Sequence, residues 1–303
     1  MASKNIMIIG DVMLDKFSYG RVKRLNPESP AQLINIEREE YKLGGAANVA
    51  ANIVSLGENA ILVGRIGNDG HGLIFQNLCE KDGIRFEAII SEKAPTTTKA
   101  RIIETTYHQQ LIRMDHESIL GIENTDITRV LSVVHEIKPD LIIISDYKKG
   151  FIDESLAKLL IETKIPVIAD AKPGRLPWFR WAMLMKPNFK EFREQLGAEG
   201  ENTDDFIEKY GAKLAHDLDT NLVITRSEHG ASIVEKWGKI QHIPTEAQEV
   251  FDVTGAWDTY IAAMGIAIVN GKTITEAAQF GNKASGIVVG KVGTATVTME
   301  ELR

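Results

Sequence analysis

Short, uninterrupted apolar runs recur along the chain: "NIMIIG" at 5–10, "AILVGRIG" at 60–67, "DLIIISD" at 140–146, "IPVIAD" at 165–170 and "NLVITR" at 221–226. Runs of this length without polar alternation predict strands buried on both faces, as in parallel sheets. Between them the apolar spacing becomes helical, near 45–56, 70–82, 124–137, 153–163, 188–196 and 202–217. Alternating strand and helix predicts an open α/β fold, a mostly parallel sheet with helices on both faces. Ligands of such sheets bind beyond the carboxyl ends of the strands. Several of those ends carry polar residues or glycine: Gly10–Asp11, Ser145–Asp146, Asp170 and Thr225–Arg226.

Two stretches break the alternation. Residues 12–40, with Pro27 and Pro30, and residues 95–115, "PTTTKARIIETTYHQQLIRMD", alternate in polarity. Both predict strands of a small antiparallel sheet, a flap over the site. With no repeat, low-complexity segment or Pro/Ser-rich linker, the expectation is one domain over 1–303 with this flap as a lid. The stretch "EAAQFGNKASGIVVGKVGTATVTMEEL" adds one helix and a short tail.

Composition narrows the function. The chain has 303 residues, 44% apolar and 25% charged, so a sizeable core is available. The net charge of −7 gives no global attraction to nucleic acid or an anionic membrane. Any phosphate must therefore be bound locally. Cys79 is the only cysteine, which leaves no disulfide within the chain, and its amphipathic surroundings predict a buried thiol. No apolar run approaches the ~20 residues of a membrane span. The opening "MASKNIMIIGDVMLD" reads as a first strand rather than a signal peptide. The expectation is a cytoplasmic protein.

Three stretches carry candidate chemistry. In "FDVTGAWDTY" (251–260), small residues lead into a helix with Asp258 in its first turn. Free N–H groups and a positive dipole end suit an anion there. A carboxylate beside such an anion cradle, formed by Gly255, Ala256 and Trp257, fits phosphoryl transfer as the base for an attacking hydroxyl. The alternative is an acidic first turn that only favours the helix dipole. In "LGGAANVAANIVSLG" (43–57), Gly44 and Gly45 allow close approach to backbone and Asn48 can donate and accept; the alternative is tight helix–sheet packing. In "KPNFKEF" (186–192), Asn188 and Glu191 share a face of a first turn and suit a hydrated Mg²⁺; the alternative is a capped helix. The "GKT" at 271–273 is no phosphate loop, because Ile266 stands where the first glycine is required. The seven histidines show no metal-ligand spacing, and there is no Gly-x-Ser-x-Gly elbow.

Taken together, the ordered stretches "GDVMLD", "GGAANVAANIVSLG", "VGRIGNDGHG", "PTTTKARII", "ISDYKKG", "KPNFKEF", "ITRSEHGA" and "DVTGAWD" resemble the ribokinase-like sugar kinases of the phosphofructokinase B family over nearly the whole chain. Within it, "DVMLDKFSYGRVKRLNPESPAQLINIE", "TTTKARII…HQQLIRMD" and "GIVVGKVGTATVTMEEL" are similar to the D-glycero-D-manno-heptose-7-phosphate kinases, which in many bacteria are fused to a nucleotidyltransferase. The resemblance implies a three-layer α/β/α fold with a β-sheet lid used for homodimerisation. It implies transfer of the ATP γ-phosphoryl group, with Mg²⁺, to the anomeric hydroxyl of heptose 7-phosphate. By position, Asp258 is the base and Gly255–Trp257 the cradle. Asp11, Gly44, Gly45 and Asn48 bind sugar hydroxyls. Asn188 and Glu191 serve Mg²⁺ through water, and Asn188 also the phosphates. Thr225, Gly230, Asp252 and Asn282 surround the nucleotide. Lys99, Arg101 and Arg113 on the lid take the sugar phosphate, the alternative being solvated strand faces.

One residue departs from that pattern. The family has Gly-Ala-Gly-Asp where this chain has Gly255-Ala256-Trp257-Asp258. Tryptophan keeps the backbone N–H and changes only space and backbone freedom. Three readings stand open: a heptose-7-phosphate kinase, a kinase of the same fold for another sugar, or a binding protein impaired by Trp257.

Overall fold

In the first strand, β1 (Asn5–Gly10), the side chains of Ile6 and Ile8 enter one core and those of Met7 and Ile9 another, all fully buried. That two-sided burial is why the strand reads as a continuous apolar run. The computed structural model describes residues 3–25, 32–246, 255–291 and 295–303. Pro27, Pro30 and Asp252 lie outside the described residues.

β1 pairs in parallel with β4 (Asn59–Gly67) on one side and β8 (Leu141–Ser145) on the other. β5 (Arg85–Ser91) extends the β4 side in parallel. Beyond β8 come β9 (Val167–Asp170), β10 (Leu184–Met185) and β11 (Asn221–Thr225), still parallel. Antiparallel β12 (Ala231–Val234) and β13 (Ile240–Ile243) finish that edge of a nine-stranded sheet. Helices α1 (Ala46–Ser55), α2 (Gly70–Lys81), α7 (Ala256–Val269) and α8 (Ile274–Val288) cover one face. Helices α3 (Asn124–Ile137), α4 (Glu154–Glu162), α5 (Phe189–Leu196) and α6 (Asp204–Leu218) cover the other. This is the α/β fold with a mostly parallel sheet that the pattern predicts.

The small second sheet holds β2 (Val12–Leu25), β3 (Gln32–Gly45), β6 (Thr98–Glu104) and β7 (Gln109–His116), in the order β3-β2-β6-β7. It is mixed, not antiparallel as expected, because β2 and β6 pair in parallel. The cause is topological. β2 follows the carboxyl end of β1 and β6 follows that of β5, so both leave the same edge of the main sheet in one direction.

Helix α7 buries every residue from Asp258 to Ala267. It passes between the sheet and its neighbours, with Gly265 admitting Ile143 and Leu141 of β8. Cys79 is buried on α2, and burial pushes its thiol up to about 12, which keeps it protonated and inert. Among the described residues no helix is long and apolar enough to cross a membrane.

Candidate active site

The chain turns into α7 at Gly255, whose φ of 80° is left-handed, a conformation that residues with a Cβ avoid. Among the described residues no side chain caps this end of the helix, and free first-turn N–H groups of this kind suit an anion. Asp258 stands in the first turn and is 5% exposed. Its Oδ1 accepts a hydrogen bond from the Tyr147 hydroxyl at 2.6 Å and its Oδ2 one from the Asn48 amide at 2.9 Å. Burial pushes its pKa up to about 6. The two hydrogen bonds and Lys186 pull it down, and Asp170 adds to the rise. The group is therefore ionised at neutral pH yet basic enough to take a proton.

Asn48 comes from the first turn of α1, which begins after Gly45 at φ 58°. A second buried bond, Thr259 Oγ1 to Asn52 Oδ1 at 3.0 Å, ties the same two helices together. Asn48, expected to meet sugar hydroxyls, directs its amide at the Asp258 carboxylate.

Strand ends supply a row of charge. Lys186, just past β10, is 1% exposed and pairs with Asp170 at the end of β9 at 2.9 Å. The Lys172 ammonium pairs with Glu191 at 2.6 Å and lies 5.3 Å from the centre of the Tyr147 ring. Burial works against its charge, but Asp170 and Glu191 outweigh that and raise its pKa.

Asn188 and Glu191 form the capping box of α5: each side chain accepts from the other's backbone N–H, at 2.9 and 3.0 Å. One Glu191 oxygen holds Lys172 and the other the Asn188 N–H. The capped-helix alternative is thus realised, and direct metal ligation by this pair does not fit. Among the described residues no group of three or more acidic, His or Cys side chains could hold a metal.

Beside the α7 end lies a cavity of about 310 Å³ lined by Thr225, Gly230, Trp257, Tyr260 and Asn282 among others. It gathers the expected nucleotide residues Thr225, Gly230 and Asn282. Gly230 turns the chain between β11 and β12 at φ 76°, and Asn282 anchors the wall by donating to the Pro244 carbonyl at 2.7 Å. The Thr225 and Tyr260 hydroxyls are buried with no hydrogen-bond partner among the described residues, and a polar ligand is the kind of group that would satisfy them. The Trp257 indole lines this cavity, and the Lys186 ammonium lies 5.7 Å from its ring centre. The ring therefore connects the cavity wall to the charged row beside Asp258.

Asp11, expected to meet sugar hydroxyls, lines a small pocket with Arg65 and Lys149 and already has backbone partners. Its carboxylate accepts backbone N–H bonds from Tyr147, Lys149 and Phe151 at 2.8, 3.0 and 3.2 Å. Asp15, which the sequence reading passed over, is the acid beside the glycine pair: a Cβ on Gly44 would come within 2.4 Å of its Oδ2. Its Oδ1 pairs with Arg101 at 2.5 Å. Arg101 and Arg113 are register partners in the small sheet. Arg113 grips Asp115 through two bonds of 2.7 and 2.6 Å, and Lys99 reaches the same acid at 3.4 Å. The three cations are therefore brought together, but each already faces a carboxylate. The Arg113 bonds lower the Asp115 pKa to about 2.

Tyr147, Asp170, Lys172, Lys186 and Tyr260 were also missed as site residues. Tyr147 and Lys186 lie inside the quoted stretches "ISDYKKG" and "KPNFKEF", and Asp170 ends a predicted strand, so their positions at strand ends were the available signal.

The family described as pfkB family carbohydrate kinase matches residues 3–302. Among curated proteins, the bifunctional protein HldE of a Nitratiruptor species is 38% identical over 301 residues, 98% of this chain and 64% of that protein. The protein of the same name from Vibrio parahaemolyticus is 39% identical over 305 residues, 99% of this chain and 63% of that one. The chain thus spans less than two thirds of the length of these relatives. Escherichia coli phosphofructokinase-2 in complex with potassium superposes with a TM-score of 0.82 at 18% identity, covering 99% of this chain and 97% of that one. Arabidopsis thaliana ribokinase complexed with ribose and ATP superposes at 0.77 and 20%, covering 99% and 98%. At such identity these two structures speak to the fold alone.

Proposed function

The chain belongs to the pfkB family of carbohydrate kinases, and we propose that it transfers the γ-phosphoryl group of ATP to the anomeric hydroxyl of D-glycero-D-manno-heptose 7-phosphate, giving the 1,7-bisphosphate used in ADP-heptose synthesis for lipopolysaccharide. One observation carries the chemistry: a buried carboxylate, Asp258, with its pKa at about 6, in the first turn of α7 beside a cavity of about 310 Å³. The similarity to the HldE proteins over 98% of the chain supports the choice of a heptose phosphate.

In this reading the nucleotide occupies the cavity, where the unpartnered Thr225 and Tyr260 hydroxyls offer polar contacts. Asp252, outside the described residues, is proposed to join it from the sequence pattern alone. Asp258 accepts the proton of the attacking hydroxyl as its oxygen bonds to the phosphorus and the bond to the ADP leaving group breaks. The first N–H groups of α7 and the Lys186 ammonium face the charge that builds on the transferred group. Mg²⁺ would shield phosphate charge when bound with ATP, and Asn188 and Glu191, engaged in the α5 capping box, would meet it through its water shell. On the sugar side, Asp15 accepts from a hydroxyl above Gly44–Gly45, and Lys99 and Arg113 receive the 7-phosphate by exchanging Asp115 for it, with Arg101, held on Asp15, beside them.

We read the small sheet as a lid over the sugar and as a homodimer surface. Ile112 and Met114, two apart on β7, are 50% and 48% exposed, an apolar pair that a second copy would cover. A reaction that consumes ATP belongs with the cell's ATP supply, so we infer a cytoplasmic enzyme.

A second reading rests on Trp257. Its ring lies against both the cavity and Lys186, where the transferred phosphoryl group would pass. A ring fixed there would leave a sugar-binding protein with little turnover. The deciding assay supplies ATP with a panel of heptose 7-phosphate, free heptose, ribose and fructose 6-phosphate. The proposal expects strong preference for heptose 7-phosphate. Equal use of an unphosphorylated sugar would reject the substrate, and absence of transfer to every sugar would favour the second reading.

A further inference from the structure

The loop after β8 turns sharply, with Lys148 at φ 59° and Gly150 at φ 92°. Two buried acids hold it. Asp11 accepts the N–H groups of Tyr147, Lys149 and Phe151. Asp146 accepts the Lys148 N–H at 2.8 Å and pairs with Arg175 at 2.7 Å. Three backbone donors on one carboxylate leave the Tyr147 Cα little freedom. From there the side chain, with Lys172 against its ring, delivers its hydroxyl to Asp258 at 2.6 Å.

We propose that Tyr147 is a positioning residue for Asp258, and that Asp11 acts on the reaction through Tyr147 rather than by touching sugar. This rests on the reading of Asp258 as the base. A carboxylate can rotate about its Cβ–Cγ bond. Asn48 fixes one oxygen and Tyr147 the other, so the plane is set and the remaining lone pairs keep one direction. The tyrosine bond also favours the charged form of Asp258. The sign follows: removing the hydroxyl takes away a stabiliser of the carboxylate, so its pKa rises.

Charged and titratable groups approach Asp258 from several elements: Tyr147 from the β8 loop, Asp170 from the end of β9, Lys172 just beyond it and Lys186 past β10; α1 offers only the neutral Asn48. Tyr147→Phe changes one of these contacts and no formal charge. The test is a carbon-13 titration of aspartate carboxyls in the free protein, with the Asp258 signal identified by its loss in Asp258→Asn. In Tyr147→Phe the Asp258 midpoint should move up by about one pH unit. In Asp11→Asn, which can accept on only one oxygen, it should move the same way by less. With ATP and heptose 7-phosphate, Tyr147→Phe should lower kcat roughly tenfold, leaving KM for both substrates near its original value. A midpoint unmoved in both variants overturns the proposal, even if the variants melt at lower temperature, since a structural role alone would lower the melt without moving the titration. Failure of the base assignment is separately visible: Asp258→Asn would then keep its turnover whatever the titration shows.

Discussion

Helices α1 and α7 begin almost alike, Gly45-Ala46-Ala47-Asn48 and Gly255-Ala256-Trp257-Asp258. Each starts after a glycine with positive φ, and among the described residues neither is capped by a side chain. Their third helical residues meet in the Asn48–Asp258 bond. The surroundings differ. The α1 end is closed by protein: the Ala46 N–H donates to the Asp11 carbonyl at 3.0 Å, and a Cβ on Gly45 would strike the same oxygen at 2.5 Å. The α7 end opens on the cavity. Two similar helix starts thus divide the work. One is a fixed support that aims an amide, and the other carries the carboxylate proposed as the base toward the cavity. Ala47 is fully buried in the first, whereas Trp257 in the same place of the second lines the cavity wall. A helix N-terminus binds an anion only when the fold leaves room in front of it.

The largest effect should come from the carboxylate itself. Asp258→Asn keeps the size and loses the base, so turnover should fall by at least ~10²–10⁴ with sugar binding largely kept. Steady-state kinetics and a binding titration measure the two together. If turnover survives, α7 is as passive a support as α1 and the division between them is lost.

A smaller effect is expected at the residue where the two starts differ most. Trp257→Gly removes the ring between the cavity and Lys186 and spares ATP the cost of displacing its cation–π contact. ATP affinity should rise about tenfold, the equivalent of about 1.4 kcal/mol. Turnover should rise with it. Calorimetry on the two proteins decides this, and equal affinities would make Trp257 a tolerated packing residue.

Least affected should be the lid variant. Arg113 is exposed and shares Asp115 with Lys99. Arg113→Ala should raise KM for heptose 7-phosphate roughly five- to tenfold while leaving KM for ATP unchanged. A change in both would mean that the small sheet acts on the α7 side of the site as well.

How much of this was legible depended on the range of the interaction. The parallel strands announce themselves because two-sided burial writes a local apolar run, as in "NIMIIG" and "DLIIISD". β5 and β13 are the sheet edges, where partial exposure weakens that signal, while β12, though buried, is four residues long and β10 only two. The parallel pairing of β2 with β6 depends on where each strand leaves the main sheet, which no local pattern records. In the site, the place of Asp258 in the first turn of α7 was legible because a carboxylate just inside a helix start is a local feature. Its pairing with Asn48 and Tyr147 was not, because Asn48 lies 210 residues away and Tyr147 111. Asp11 and Asp15 show the limit clearly. Both are acids near the end of β1, four positions apart, and only the fold tells which one holds a loop and which one faces the glycine pair.

The central claim is that a buried Asp258, titrating at about pH 6, takes the proton from the sugar hydroxyl. The most direct measurement is the pH dependence of kcat/KM, which reports groups of the free enzyme. Because the base must be ionised and its pKa is raised, activity should be full above the limb and fall as pH drops through it. The account predicts an acid limb at about pH 6, absent from the residual activity of Asp258→Asn. A limb that persists unchanged in that variant would contradict it.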